Sequence, residues 1–266
     1  MSHVLVTRRE GAVLVLSHHN VAARNALSPE FYTAVGHALR EAADDPSVGA
    51  IVLTGAGGHF CAGGDLRQLV KRRELPVEAR RARLEDLHDL IRSVRDCPKP
   101  VIAAVEGAAA GAGLSLAMAC DMLVAAKDAV FTVAYVKVGL TPDGGATAFL
   151  AEFVSRQVLT ELCLTGAPLS GERMHALGAV NRLVESGAAI SHAITLATEI
   201  SKGPQKAMGR IKHLCRLAMH HSLEEQLELE AQSMVDAMGS DESMEGIQAF
   251  LNKRAPNYIQ LREGSE

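Results

Sequence analysis

Apolar and polar positions follow two rhythms along this chain. Branched apolar runs at 4–7 and 12–16, separated by Glu10-Gly11, predict a β-hairpin. After Asn25-Ala26-Leu27, the pair Ser28-Pro29 marks a helix start. A serine side chain can accept a first-turn N–H, and the fixed φ of proline suits that turn. Phe31, Val35, Ala38, Leu39 and Ala42 then recur at helical spacing until Asp44-Asp45-Pro46 ends the segment. Unbroken apolar runs at 50–54, 101–105 and 122–126, with shorter ones at 130–133 and 180–184, read as buried strands. Helices are expected after Asp65, over 114–119, from Ser170 to near Gly178, and over 188–201 and 204–220. Residues 107–113 read as a loop of glycine and alanine, and 222–254 as one amphipathic segment.

Short strands alternating with helices predict an α/β fold whose sheets are covered by helices. The 266 residues suit one large core or two small ones. No linker or 20–50-residue repeat divides them, and position 200 is the natural boundary. The helical tail beyond it is poorly placed to bury itself in the core, which predicts packing on another subunit or over the mouth of the core.

Composition narrows the function classes. Apolar residues make up 48% of the chain, ample for a packed core and too many for general disorder. Aromatics are only 3% and the net charge is -4, which argues against a nucleic-acid surface. The five cysteines are an odd number with no CxxC pair. A disulfide framework or thiolate metal site is not expected, and a reducing, cytoplasmic setting fits. The start carries no apolar signal region, and the stretch 107–120 is too short to span a membrane.

Two glycine loops carry the candidate chemistry. Phe60-Cys61-Ala62-Gly63-Gly64-Asp65-Leu66 and 107–113 each follow a buried run and precede a helix. Facing each other, such loops can aim two backbone N–H groups at one developing oxyanion. A dinucleotide motif fails, because Phe60 and Leu116 stand where its third glycine belongs, and no Walker motif occurs. Gly113-Leu114-Ser115-Leu116-Ala117 is close to a nucleophile elbow, which needs a histidine and an acid as partners. The pairs His18-His19 and His220-His221 read as surface histidines, and the charge-rich 67–95, with Lys71-Arg72-Arg73 and Arg80-Arg81, as a solvated helical face. Asp143, in a Pro-Asp-Gly-Gly turn after an apolar stretch, is a turn-former or a desolvated general base.

Taken in order, several segments resemble the crotonase superfamily of enoyl-CoA hydratases and isomerases. They are Arg24-Asn25-Ala26-Leu27, the loop from Phe60 to Asp65, the run from Lys99 to Gly107, Gly111 through Asp121, the run from Gly139 to Gly145, and the run from Ala249 to Arg254. The resemblance implies a spiral of ββα units over 1–200 that binds an acyl-CoA thioester. It also implies a helical region over 201–266 that builds a homotrimer or a hexamer of two trimers. Coenzyme A then enters with the substrate, and no separate cofactor or metal is implied. The backbone N–H groups of Ala62 and Ala112 are implied as the oxyanion hole and Asp143 as the acid/base. Ala23, Arg24, Gly63, Gly64, Asp65, Leu66, Gly111, Ser115 and Tyr135 are implied as substrate contacts. Phe250 and Lys253 match positions that reach the coenzyme A of a neighbouring subunit. Ser115 and Tyr135 stand where similar hydratases carry two glutamates, and a phenol near pKa 10 is a poor base at neutral pH. The expectation is therefore proton-transfer isomerisation by Asp143. Hydration or ring-opening hydrolysis on the same scaffold is the alternative, and a non-catalytic CoA- or partner-binding relative the third reading.

Overall fold

The computed structural model describes residues 4–263. Strands β1 (Leu5–Glu10) and β2 (Val13–His18) form the expected hairpin, closed by the pair Glu10↔Val13. Helix α1 (Pro29–Asp44) starts where Ser28 Oγ accepts the Phe31 N–H at 3.3 Å. Strand β3 (Ala50–Gly55) follows, then α2 (Leu66–Arg72) and α3 (Val77–Asp96), separated just before Val77 by Pro76. Next come β4 (Val101–Val105), β5 (Ala108–Ala110), α4 (Ala112–Met118), β6 (Met122–Ala126) and β7 (Val130–Thr132). A 3-10 turn (Ala134–Val138) leads to α5 (Ala146–Ala151), α6 (Arg156–Thr165), β8 (Leu169–Ser170), α7 (Gly171–Ala176) and β9 (Arg182–Val184). The chain ends in α8 (Ala189–Ser201), α9 (Gln205–Leu217), α10 (Leu223–Met238), α11 (Asp241–Leu251) and α12 (Tyr258–Glu263).

Six strands make one sheet in the order β1-β2-β3-β4-β6-β9, parallel except for β1. Three short strands make a second, β5-β7-β8. Each turn of chain lays one strand in the large sheet and the next extended piece in the small one: β4 then β5, β6 then β7. Cys61 does the same after β3. Its N–H donates to Ala108 O and its carbonyl accepts from Ala110, both at 2.9 Å. This is the ββα spiral.

Strands β3, β4 and β6 are almost wholly buried, because both faces of the sheet are covered. One face, with Val15, Val52, Ile102 and Val124, meets the alanine stripe Ala189, Ala193, Ala197 of α8. The other, with Leu16, Ile51, Leu53 and Ala103, meets Phe31, Val35 and Leu39 of α1 and Leu90, Ile91 and Val94 of α3. Past Ala197, Ala249 is the one buried apolar side chain among the described residues. Meanwhile Leu227, Met234, Val235, Met238 and Ile247 stand exposed.

Four expectations change. Residues 108–110 are a strand, because pairing with β7 and Cys61 supplies the ladder that an alanine run does not advertise. Helix α4 begins at Ala112, two residues earlier than expected. The segment 222–254 is two helices, broken at Gly239 and restarted by Ser240, whose Oγ accepts the Ser243 N–H. His18 is not a surface histidine. It is 1% exposed, with its ring stacked 3.7 Å from that of Phe31, since the strand's inward face carries it into the core. Among the described residues no helix is long and apolar enough to cross a membrane.

Candidate active site

The two glycine loops meet. Gly63 has φ +92°, and a Cβ there would lie 2.6 Å from Ala110 O and 3.5 Å from Ala112 N. A Cβ on Gly113 would lie 2.4 Å from the Cys61 carbonyl. Only residues without side chains let the loops approach this closely.

The N–H groups differ in what they do. That of Ala62 donates to the Arg24 carbonyl at 2.9 Å, so it is spent on holding the first loop to the 21–24 turn. That of Gly63 faces Cys61 Sγ at 3.4 Å. Those of Gly64 and Ala112 have no hydrogen-bond partner among the described residues, and both residues line one cavity. Ala62 is thus corrected as a donor. A free N–H of the first loop is that of Gly64, two residues on, and Ala112 offers one on the second loop.

That cavity has a volume of about 410 Å³ and holds Asp143 opposite the loops. Burial pushes the Asp143 carboxyl above its ordinary range. Tyr135 Oη donates to Asp143 Oδ1 at 2.7 Å, and this bond, with the charges of His88 and Arg72, pulls the other way without winning. The same burial, with the neighbouring carboxylate, raises the Tyr135 phenol well above 10, so it acts as a donor and not as a base. Ser115 is fully buried and donates to the Asp143 carbonyl at 3.0 Å. It lines no part of the cavity, which corrects it as a substrate contact. Its hydroxyl partner is a carbonyl and not a histidine, which removes the nucleophile-elbow reading. The reason is packing: Ser115 sits under the turn, where a Cβ on Gly144 would lie 3.1 Å from its own.

The apolar walls are Leu66, Leu69, Leu84, Leu87, Val138 and Leu140, and the cavity runs on into a groove of about 540 Å³ between α2, α3 and the 138–140 segment. Arg72 and Arg83 line both spaces, so the charged face of 67–95 is solvated only on its outer side. The cavity also holds His88, which no sequence motif marks. Its signal was Leu84, Leu87 and His88 sharing one side of a helix.

A family model described as Enoyl-CoA hydratase/isomerase matches residues 8–261. The chain belongs to this family. It is 33% identical to the 1,2-epoxyphenylacetyl-CoA isomerase of Escherichia coli K12, over 97% of this chain and 99% of that one. It is 30% identical to the 2,3-dehydroadipyl-CoA hydratase of the same organism, over 97% and 99%. A solved enoyl-CoA hydratase from Polaromonas sp. JS666 superposes with a TM-score of 0.92 at 43% identity, covering 95% of this chain and 98% of that one.

The expected substrate contacts divide between the cavity and its surroundings. Gly63, Gly64, Leu66, Gly111 and Tyr135 line the cavity. Asp65 does not, since its Oδ1 caps α2 by accepting the Arg67 N–H at 2.8 Å. Ala23 and Arg24 are exposed beside the first loop. Phe250 is 84% exposed, and neither it nor Lys253 lines the cavity of its own chain. Among the described residues no group of three His, Cys, Asp or Glu is placed to hold a metal ion.

Proposed function

We propose that this family member isomerises an enoyl- or ring-derived acyl-CoA by proton transfer. The N–H groups of Gly64 and Ala112 hold the thioester oxygen as it gains charge, and Asp143 carries the proton. The observation that carries the reading is a half-buried carboxylate, its pKa raised, sharing one cavity with two unpaired backbone donors. A base works best with a pKa close to the working pH, and burial moves Asp143 in that direction. Neither Ser115 nor Tyr135 offers the second carboxylate expected of water addition. The apolar walls fit an acyl chain or ring. The exposed apolar side chains of α10 and α11, with Phe250 and Lys253 outside the lining of their own cavity, support a trimer in which these two residues serve a neighbour's coenzyme A.

The test is a panel of short linear, long linear and ring-derived CoA thioesters, read by mass spectrometry. The expected product has the mass of its substrate with the double bond moved, and a gain of one water selects hydration instead. Asp143→Asn is expected to lower kcat by about 100-fold or more, the scale of a lost acid/base group. Undiminished turnover removes Asp143 from the chemistry. No turnover of any thioester by the unaltered protein favours a binding-only relative.

A further inference from the structure

The cavity has two proton-exchanging side chains where the sequence offered one. His88, on α3, lines it together with Asp143. Its Nδ1 is 3.4 Å from Glu85 Oε2, one helical turn back. Glu85 is in turn gripped by Arg92, with Nη1 2.5 Å from Oε1, and this bond holds the Glu85 carboxyl below its usual range. A carboxylate fixed as an anion favours the tautomer with the proton on Nδ1. The other ring nitrogen, Nε2, has no hydrogen-bond partner among the described residues. His88 is also close enough for its charge to act on Asp143. The sequence Arg92, Glu85, His88 thus has the form of a base with its orienting acid.

We propose that His88 is a catalytic residue, the second proton carrier of this site, with Glu85 as its positioning residue. The assignment rests on the acyl-CoA reading above. In the isomerisation, the Asp143 carboxylate takes a proton from one carbon of the acyl group. The C–H electron pair passes into the enolate, whose oxygen is held by the Gly64 and Ala112 N–H groups. The His88 imidazolium then gives its Nε2 proton to the carbon at the other end of the conjugated system. The enolate pair forms that new C–H bond, leaving Asp143 protonated and His88 neutral. Asp143 loses its proton to water and His88 regains one from water, which restores both. The proton delivered is not the proton removed.

The experiment compares the unaltered protein with His88→Gln, Glu85→Gln and Asp143→Asn on the thioester that the panel identifies, in H2O and in D2O. His88→Gln is expected to lower kcat by about 100-fold with KM within about threefold, as for a lost acid/base group. Glu85→Gln is expected to lower kcat by about tenfold, by releasing the ring without removing it. In D2O each product molecule of the unaltered enzyme is expected to carry one solvent deuterium at the newly protonated carbon. His88 is partly exposed, so its replacement leaves the fold intact, and an unchanged thermal melt checks this. A His88→Gln rate within about threefold of the unaltered protein, while Asp143→Asn is dead, overturns the role of His88 and leaves the acyl-CoA reading standing. A product that keeps only its substrate's own hydrogens overturns it equally. If no thioester is turned over or exchanged by the unaltered protein, the reading and the inference fall together.

Discussion

Two titratable residues, His18 buried and Asp143 half-buried, link stability to pH with opposite signs. Asp143 has a folded pKa raised above its ordinary 3.8, so its ionised form costs the folded state at neutral pH. That cost disappears as pH falls through the folded pKa. Asp143→Asn keeps an acceptor for Tyr135 and removes the buried charge. It is therefore expected to melt at a higher temperature than the unaltered protein at neutral pH. The gain should vanish below pH 3.8, where both states of the parent are protonated, and calorimetry across pH reads it. His18 runs the other way. Burial lowers its pKa to about 4 from 6.5, with neither ring nitrogen hydrogen-bonded among the described residues. The unfolded chain takes up the proton first, so stability is lost as pH falls from 6.5 to about 4. The loss is on the order of 3 kcal/mol at one pKa unit per 1.36 kcal/mol. His18→Phe, which preserves the stack on Phe31, should flatten that part of the acid limb in urea titrations. An unchanged limb places the loss in other groups.

At the scale of elements, the loops depend on how closely strands and helix starts approach. A side chain on Gly63 meets the Ala110 carbonyl and strains a positive φ at once. Gly63→Ala is expected to cost about 1–3 kcal/mol, the usual range for overpacking. It should also take most of the turnover, because the Gly64 and Ala112 donors separate. Denaturant melts and kcat measured on one preparation test both effects. The helices and strands here were largely legible in the chain. Ser28-Pro29 and Ser170 announce helix starts, and both serines cap as written. Strand β5 was not legible, since three alanines between glycines have no β pattern and its partners are distant in sequence.

At the scale of the molecule, the spiral core buries its apolar side chains within one chain, and past Ala197 few are buried. Helix α9 is tied down by polar bonds, Gln205 Nε2 to Val48 O at 2.8 Å and Lys212 Nζ to Asp121 Oδ2 at 2.6 Å. Helices α10 and α11 instead leave apolar side chains uncovered, Leu227, Met234, Val235, Met238 and Ile247 among them. Sedimentation at micromolar concentration is expected to show a trimer or a hexamer. Val235→Glu, which sets a charge among those side chains, should shift the mass downward. A monomeric unaltered protein removes the proposed assembly and the neighbour role of Phe250 and Lys253.

Local chemistry alone settled the α/β class, most element starts, the two glycine loops and Asp143 as a candidate, because caps, apolar runs and glycine pairs act over a few residues. Folding in three dimensions decided which amide on each loop is free. The distant Arg24 carbonyl takes the N–H of Ala62 and leaves that of Gly64 free. It also buried Ser115 beneath the Asp143 turn and brought His88 into the cavity. Hydrogen-bond satisfaction and burial depend on partners far along the chain, and no short stretch of sequence contains them.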